Sequence, residues 1–380
     1  MTFAPPSKRQ PSRRRLDRRA FLGSNAALAA GLILPGCATT PTPTQTPAPT
    51  CLPKLNIDRS RMIRAVAGLR PYRAEGFVVR EDALGTKRVI HNYGHGGAGI
   101  TLSWGTSYLA ARLGLPGHSG SVAVLGAGIM GLTTARLVQE AGLPVTIYAA
   151  ALPPHTTSNV AGGQFHPFGH FREDRVTPEW REQYRQAVDY SWRRFQLLVG
   201  DDYGVRWLPT YAEKEAPETP ILSTFPPVNR SLQPHEHPFP VDNLIRYDTL
   251  YVEVGRYLRQ LLREVRADGG QVRIQRIGDR EAVAALPERL VFNCTGLGSR
   301  ELFGDTVLMP IRGQLAVMLP QPEIQYAYML DAGYMFPRPD GIVIGGTYER
   351  GEEIAEPQPE RIDQIIASHA ELMRAWRCKP

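Results

Sequence analysis

The sequence predicts an α/β protein of two domains, one built on a parallel β-sheet and the other on a mixed β-sheet. At 380 residues the chain is long enough to bury two cores. Its apolar fraction of 42% and its charged fraction of 21% are ordinary for a globular protein, so most of the chain should fold. The parallel sheet is predicted from one strand, turn, helix and strand unit at residues 121–148.

A glycine-rich turn lies at the centre of that unit. Apolar residues 121–125 precede Gly126-Ala-Gly128-Ile-Met-Gly131, residues 132–141 have helical spacing, and residues 144–148 resume as a strand. In such a turn the first glycine permits the bend, the second lets the backbone approach a pyrophosphate, and the third lets helix and strand pack closely. The helix N-terminus, with Ile129 and Met130, then faces the phosphates. The unit favours a Rossmann-like dinucleotide site over a turn that is merely packed.

One element of such a site is missing. About twenty residues after the first glycine, an acidic side chain usually accepts hydrogen bonds from the ribose hydroxyls. This chain has Ala149-Ala-Ala151 at that place. Ribose recognition must therefore come from elsewhere, or cofactor affinity is reduced.

Six further segments combine glycines with polar or aromatic residues. They are Gly68-Leu-Arg70-Pro-Tyr-Arg73, His91-Asn-Tyr-Gly-His-Gly-Gly-Ala-Gly99, His155-Thr-Thr-Ser-Asn-Val-Ala-Gly-Gly163-Gln, Leu290-Val-Phe-Asn-Cys-Thr-Gly296-Leu-Gly298, Ile311-Arg-Gly-Gln314 and Tyr334-Met-Phe-Pro-Arg-Pro. Together with the glycine turn and Gly345-Gly-Thr-Tyr348, they resemble the D-amino-acid oxidase family. The resemblance extends from about Gly68 to Tyr348 and is only weakly informative over residues 205–243.

The resemblance implies FAD, rather than a nicotinamide, as the cofactor. On its own the Ser/Thr run after His155 is typical of a surface loop, but it follows the glycine turn in the family's register. The residues that fall on FAD contacts are Gly96, Gly99, Ile100, Thr101, Gly126, Gly128, Ile129, Met130, Gly131, Thr156, Thr157, Ser158, Gly163, Gln164, Ile277 and Thr295.

The resemblance also implies a substrate site. Arg70 falls on the arginine that holds the substrate carboxylate, a task that suits its planar fork. Tyr334 falls on a tyrosine whose hydroxyl meets the same carboxylate, and Gly97 on the residue whose carbonyl holds the amine. Arg73 is either a second contact or a structural ion-pair partner. The family's second tyrosine is replaced by Leu330, which leaves substrate size open.

The activity implied is the FAD-dependent oxidation of D-amino acids to imino and keto acids, with ammonia and, from oxygen, hydrogen peroxide. One alternative is a lipid-anchored dehydrogenase of D-amino acids, glycine or secondary amines that passes electrons to a quinone. The other is a catalytically inert flavin-binding lipoprotein. A metal site is not expected, because glycines or prolines interrupt both four-residue histidine spacings, His91 with His95 and His166 with His170.

The order of the segments differs from that of the family. The histidine-glycine run, which nearly closes the family's chains, precedes the glycine turn that opens them. Cutting before Ser121 and joining Trp376 to about Asn56 restores the family order, so we predict a circular permutation with residues 114–120 as the new linker. Cys51 and Cys378 flank the new break, and we predict that they form a disulfide. Cys294 is expected to be buried and apolar.

The N-terminus resembles an export signal. Residues 1–36 hold seven basic residues and one acid, so this segment carries +6 of the net charge of +7 and nothing indicates a nucleic-acid partner. Asp17-Arg-Arg-Ala-Phe-Leu22, followed by an apolar run, is typical of a twin-arginine signal read by the twin-arginine translocase. Leu34-Pro-Gly-Cys37 resembles a lipoprotein processing site, with simple cleavage as the alternative. We expect an exported bacterial protein, periplasmic or membrane-anchored through Cys37.

These observations divide the chain into six parts. We predict a signal peptide at residues 1–36, a Thr/Pro-rich linker at 37–57, a permuted segment at 58–118, an FAD-binding domain at 119–165 and 244–304, a substrate domain at 166–243 and 305–356, and a C-terminal helix and tail at 357–380. Within them, apolar spacing predicts helices at residues 104–113, 251–267 and 362–376, and a strand at 271–277.

Overall fold

The structure is a computed structural model that describes residues 51–213 and 225–378. The predicted signal peptide, the predicted lipidation site at Cys37 and most of the predicted linker lie outside the described residues. None of the helices in the two described ranges is long and apolar enough to cross a membrane.

The described chain forms fifteen strands and seven α-helices. In chain order they are β1 (Met62–Tyr72), β2 (Val78–Leu84), β3 (Lys87–Tyr93), α1 (Gly99–Gly114), β4 (Val122–Leu125), α2 (Ile129–Glu140), β5 (Val145–Ala149), α3 (Pro178–Leu197), β6 (Val205–Ala212), β7 (Arg230–Leu232), β8 (Leu244–Val252), α4 (Val254–Ala267), β9 (Gln271–Ile274), α5 (Arg280–Ala284), β10 (Leu290–Asn293), α6 (Ser299–Phe303), β11 (Met309–Met318), β12 (Ala327–Leu330), β13 (Gly333–Arg338), β14 (Gly341–Gly345), β15 (Glu349–Arg350) and α7 (Pro359–Arg374).

One sheet is the predicted parallel sheet. Its order is β2-β3-β10-β4-β5-β9, and every neighbouring pair is parallel except β2 with β3. Strands β4 and β10 are buried along their whole length, as expected of short apolar strands covered on both faces. Strand β3, from the early part of the chain, lies beside β10.

Helices α1, α2 and α4 pack against this sheet, and α3 packs against α1. α1 packs against α2 and α3, and α2 packs against α4. The crossing of α1 with α3 is close: a Cβ at Gly105 would overlap the carbonyl of Ala187. Trp104 donates a hydrogen bond of 2.5 Å from Nε1 to the hydroxyl of the buried Tyr257 in α4. This hydrogen bond connects α1 to α4 within the helical layer.

The other sheet is mixed, as predicted, and it has nine strands. Its order is β1-β11-β14-β13-β12-β6-β8-β7, and β15 pairs with β11. The pairing of β1 with β11 aligns Gly68 with Gly313 and Arg70 with Ile311. Apolar residues of α7, among them Ile362 and Ile366, pack into a core shared with this sheet. The chain thus combines two sheets in the mixed α/β architecture that we expected.

The predicted disulfide is present. Cys51 and Cys378 are bonded, with their Cα atoms 5.8 Å apart and 327 positions apart in the sequence. The neighbouring residues, which fall in the predicted linker, are packed: Leu55 is 2% exposed, and Tyr326 donates a hydrogen bond of 2.8 Å to the Pro53 carbonyl. The end of that linker therefore belongs to the folded body. Cys294 is buried and free, as expected.

Some predicted boundaries are wrong. Helix α1 begins at Gly99, five residues before the prediction, because apolar spacing does not reveal a start among glycines. Tyr251 is the second-last residue of strand β8 rather than the first of helix α4, and it is fully buried there. Strand β9 ends at Ile274, three residues early, and α7 ends at Arg374. Because the buried end of β8 is followed directly by the buried face of α4, the apolar residues of the two elements together resembled one continuous helix.

Candidate active site

A cavity of about 640 Å³ extends from the carboxyl ends of the parallel strands to the mixed sheet. Crevices beyond the carboxyl ends of parallel strands are where open α/β sheets bind ligands. The predicted site residues that line it are Arg70, Gly96, Gly97, Gly99, Ile100, Gly126, Gly128, Ile129, Met130, Thr156, Thr157, Ser158, Gly163, Gln164, Ile277, Thr295 and Tyr334. The structure thus brings these segments together.

Two predicted contact residues do not line the cavity. Gly131 lies behind the turn, where a Cβ would overlap the carbonyl of Gly126, so its role is the helix packing foreseen for a third glycine. Thr101 is buried, and its hydroxyl accepts a hydrogen bond of 2.9 Å from the backbone amide of His166. Thr101 therefore supports the wall of the cavity rather than forming it.

The glycine turn has the geometry that a phosphate site needs. Gly126 has φ +102°, and a Cβ there would lie 2.6 Å from the Cys294 carbonyl oxygen, so glycine is required. The backbone amide of Ile129, at the start of α2, donates a hydrogen bond of 3.0 Å to Oγ of Ser158. A helix N-terminus and hydroxyls from the following loop therefore face the same space.

Arg70 and Tyr334 meet at the other end of the cavity. The side chain of Arg70 passes over Gly313, where a Cβ would overlap the guanidinium, and Nη1 donates a hydrogen bond of 3.2 Å to the Thr347 carbonyl. Burial raises the pKa of Tyr334, while the charge of Arg70 and a hydrogen bond with it act in the opposite direction. Gly97 adjoins the same arginine, because a Cβ there would lie 3.6 Å from Cδ of Arg70.

This end of the cavity combines one cation with apolar walls. Leu315, Met329 and Phe336 are apolar wall residues, and His166 also lines the cavity. Burial lowers the pKa of His166 to about 4, so its imidazole is neutral at physiological pH. A carboxylate would pair with Arg70, and an apolar group would contact the walls.

Comparison with known proteins identifies the family. The family model described as FAD dependent oxidoreductase matches residues 16–113 and 121–377, well over half of the chain. A D-amino-acid oxidase of Rubrobacter xylanophilus is 31% identical over 254 residues, which cover 64% of this chain and 74% of the relative. The chain belongs to the family of FAD-dependent oxidoreductases.

Two further comparisons agree with that assignment. A D-aspartate oxidase of Homo sapiens is 26% identical over 255 residues, covering 65% of this chain and 74% of the relative. The crystal structure of glycine oxidase from Geobacillus kaustophilus shares the fold with a TM-score of 0.53 and 14% identity, over 69% of this chain and 81% of that chain. The prediction of an FAD-dependent oxidoreductase is therefore confirmed.

The residues present fit FAD. The glycine turn and the Ser/Thr loop offer amides and hydroxyls for the pyrophosphate, and Gly96 and Gly163 line the same cavity. Gln164 donates a hydrogen bond of 3.0 Å to Thr210, but its buried Oε1 has no hydrogen-bond partner within the described chain. A buried amide oxygen on the cavity wall requires a donor, which a ring N–H of FAD would supply.

A network of buried hydrogen bonds holds Thr295, one of the predicted FAD contacts. Oδ1 of Asn293 accepts hydrogen bonds from the hydroxyl and the amide of Thr295, at 2.7 and 3.2 Å. Nδ2 of Asn293 lies 3.0 Å from Nδ1 of His91, and Nε2 of His91 lies 2.9 Å from Asp82. Since the amide nitrogen is a donor only, His91 carries its proton on Nε2. This network connects the histidine-glycine run to the cavity wall at Thr295.

Arg73 does not line the cavity. It forms ion pairs with Asp305 and Glu75, and Asp305 also accepts a hydrogen bond of 2.8 Å from the Tyr93 hydroxyl. Of the two roles considered for Arg73, the structure supports the structural ion pair. Among the described residues, no group of three His, Cys, Asp or Glu side chains is arranged as a metal site.

Gly313 and Met329 line the cavity wall and were not among the residues predicted to contact the cofactor or the substrate. Gly313 requires knowledge of the pairing between β1 and β11, which no local pattern specifies. Met329 lines the cavity, whereas its neighbour Leu330 packs into the core with α7. Side chains alternate between the two faces of a strand, so the pattern of β12 could have indicated which of the two residues faces the cavity. A strand of four residues is too short to show which positions belong to which face.

Proposed function

We propose that this FAD-dependent oxidoreductase oxidises D-amino acids. The balanced reaction converts a D-amino acid, oxygen and water into the keto acid, ammonia and hydrogen peroxide. The observation that supports it is the placement of Arg70, Tyr334 and Gly97 at one end of the cavity. The relatives that carry the names D-amino-acid oxidase and D-aspartate oxidase support the D-configuration.

In this proposal Arg70 binds the α-carboxylate. A bidentate guanidinium fixes both the position and the plane of a carboxylate, which aims the Cα hydrogen. The hydroxyl of Tyr334 donates a second hydrogen bond to the same group, and its raised pKa keeps it protonated over the physiological range. FAD supplies the acceptor for the two electrons that leave Cα.

The amine side of the substrate faces uncharged groups. The carbonyl of Gly97 accepts a hydrogen bond from the amine, and His166 is neutral because of its burial. Neither group stabilises an ammonium strongly, so the substrate reacts with its amine neutral. Within the described residues, the lining around Arg70 includes no carboxylate that could pair with a cationic amine.

We also propose that the protein acts outside the cytoplasm. The twin-arginine-like segment and Cys37 support export and lipidation, and the Cys51–Cys378 disulfide supports an oxidising compartment. Twin-arginine export accepts folded proteins, which suits a chain that acquires FAD before translocation. A membrane anchor would make a quinone a feasible electron acceptor in place of oxygen.

The circular permutation is a further proposal. The family model matches the chain in two parts, residues 16–113 and 121–377, with a short gap at residues 114–120. The alignments with two relatives extend over 254 and 255 residues, about the length of the second part alone. The permutation is also supported by the proximity of the regions to be joined: Leu52, Ile57 and Trp376 pack against one core cluster. The site survives because its residues depend on position in space, not on chain order.

One experiment tests the proposed activity. The mature, FAD-loaded protein is incubated with D-amino acids, L-amino acids and glycine, and flavin bleaching and hydrogen peroxide are followed together. Bleaching by D-amino acids with one peroxide per substrate supports the oxidase. Bleaching without peroxide, together with reduction of an added quinone, identifies a dehydrogenase. Bleaching only by L-amino acids or glycine would refute the D-specificity.

A further inference from the structure

The part of the cavity next to the end of β5, which we call the adenosine end, lacks the acid that usually binds the ribose in a Rossmann-like site. Strand β5 ends at Ala149, and Ala149, Ala150 and Ala151 all line the cavity. The two hydroxyls of a ribose at this place would face the methyl side chains of these alanines, which cannot accept hydrogen bonds. Hydroxyls removed from water without an acceptor weaken binding, so an acceptor from another segment is required for tight binding.

One carboxylate lines the cavity. Of the cavity-lining residues in the described chain, Glu301 is the sole Asp or Glu. It lies in α6, directly after the turn that follows β10, while Ala150 directly follows β5. Since β10 and β5 flank β4 on opposite sides, both segments lie at the carboxyl edge of the same three strands. Glu301 therefore faces the crevice from the side opposite the alanines.

Arg276 fixes the position of this carboxylate. Nη2 of Arg276 donates a hydrogen bond of 3.0 Å to Oε2 of Glu301, which leaves Oε1 available to accept from a second donor. Arg276 follows strand β9 and lines the cavity together with Gln275 and Ile277. The pair thus bridges the segments after β9 and β10 across the adenosine end.

The ion pair itself adds little to stability. Both side chains are 73% exposed, and exposed pairs typically contribute little to folding. Substitution of Glu301 should therefore change ligand binding without unfolding the protein. This separates its role from that of buried acids such as Asp305, which pairs with Arg73 in the interior.

We propose that Glu301 replaces the missing acid and accepts hydrogen bonds from the adenosine ribose hydroxyls of FAD, held in place by Arg276. The proposal rests on FAD binding and is independent of which amino acid is oxidised. A hydrogen bond to a charged acceptor corresponds to about a 10- to 100-fold change in affinity.

The test measures FAD affinity by equilibrium titration followed by flavin fluorescence, so it needs no turnover. Glu301→Ala is expected to raise the FAD dissociation constant about 10- to 100-fold. Glu301→Gln, which keeps an acceptor but not the charge, should have a smaller effect. Glu281→Gln, an exposed glutamate of α5 outside the cavity, is the matched control and should match the wild type.

Two further measurements assign the effect to the ribose. The wild type should bind FAD lacking the adenosine 2′-hydroxyl more weakly than it binds FAD. Glu301→Ala should bind the two ligands equally. Ala150→Asp, introduced into Glu301→Ala, should recover part of the lost affinity by restoring an acid after β5. If Glu301→Ala binds FAD and the deoxy analogue as the wild type does, the proposal is wrong. Absence of amino-acid oxidation with normal FAD affinity would refute only the proposed activity.

Discussion

The guanidinium of Arg70 lies directly over Gly313, so that no Cβ fits between the two residues. They belong to neighbouring strands, in which Arg70 is paired with Ile311 and Gly68 with Gly313. The side chain of Arg70 therefore runs diagonally across the sheet toward the cavity. A glycine in β11 is what lets a long cation lie flat against the sheet.

Gly313→Ala should displace the guanidinium and weaken binding of the substrate carboxylate. We expect kcat/KM to fall about 10- to 100-fold, on the scale of one lost charge-assisted hydrogen bond. Steady-state kinetics measure the fall, and the flavin spectrum should stay unchanged. Gly255→Ala in α4, where a Cβ meets only ordinary contacts, is the control. Unchanged kinetics for Gly313→Ala would contradict the placement of Arg70.

Arg70→Lys tests whether the planar fork matters beyond the charge. Lysine keeps the charge but cannot form two parallel hydrogen bonds, so we expect KM to rise by about 100-fold, and Arg70→Ala to have a larger effect. Kinetics with the best D-amino acid give both values. Arg73→Lys is the comparison, because Arg73 pairs with Asp305 in the interior and should affect thermal stability rather than KM. Equal KM values for Arg70→Ala and the wild type would remove Arg70 from the site.

Asn293→Asp should change the protonation of His91. In the wild type, burial lowers the pKa of His91, and Nδ1 accepts from the Asn293 amide. An aspartate at position 293 would place carboxylates next to both ring nitrogens, since Asp82 already adjoins Nε2. We expect the His91 pKa to rise, which NMR titration of the imidazole measures.

FAD affinity should also fall in the same variant, because it keeps the acceptor for Thr295 but adds a negative charge beside this cavity-lining turn, which disfavours an anionic cofactor. Asn293→Ala provides the contrast: it removes the acceptor for Thr295 without adding charge, so FAD affinity falls while the His91 pKa does not rise. A His91 pKa that is the same in Asn293→Asp and the wild type would contradict the contact between residue 293 and Nδ1 of His91.

The Cys51–Cys378 disulfide should stabilise the fold by closing a loop of more than 300 residues. Replacing both cysteines by serine is expected to lower the free energy of unfolding by about 2–5 kcal/mol. Urea unfolding measures the difference, with and without a reductant. The reductant should destabilise the wild type but not the double variant. Cys294→Ser is no suitable control, because Cys294 is buried beside Thr134. Equal stability of the reduced and oxidised wild type would contradict this role.

The local pattern alone predicted the glycine turn, because a strand, a glycine-rich bend and a helix follow one another there. The Ser/Thr loop and Arg70 were assigned from the resemblance to a family, and all three segments line the cavity. Gly313 and Glu301 were not identified, because each matters only through a partner far away in the sequence. Gly313 needs the register of β1 with β11, and Glu301 needs the strand order that sets it opposite Ala150. Tyr251 was misassigned because a buried strand and a buried helix follow each other there.

Buried histidines should make the protein unstable in acid. Burial lowers the pKa of His95 to about 3 and those of His166 and His369 to about 4, whereas an unfolded histidine titrates at about 6.5. Between pH 6.5 and 4 the unfolded state therefore binds more protons than the folded state. Stability is complete above pH 6.5 and is lost as the pH falls, by up to about 1.4 kcal/mol per pH unit for each histidine.

His369→Gln isolates one of these groups, because His369 lies under β13, far from solvent, with Nδ1 2.6 Å from the Tyr328 hydroxyl. We expect this variant to lose stability at pH 7.5, where a good hydrogen bond is removed, but to show a shallower decline toward pH 4.5 than the wild type. Urea unfolding at several pH values measures both quantities. His235→Gln, at an exposed position, should follow the wild-type curve. A decline as steep in His369→Gln as in the wild type would show that His369 does not contribute to acid sensitivity.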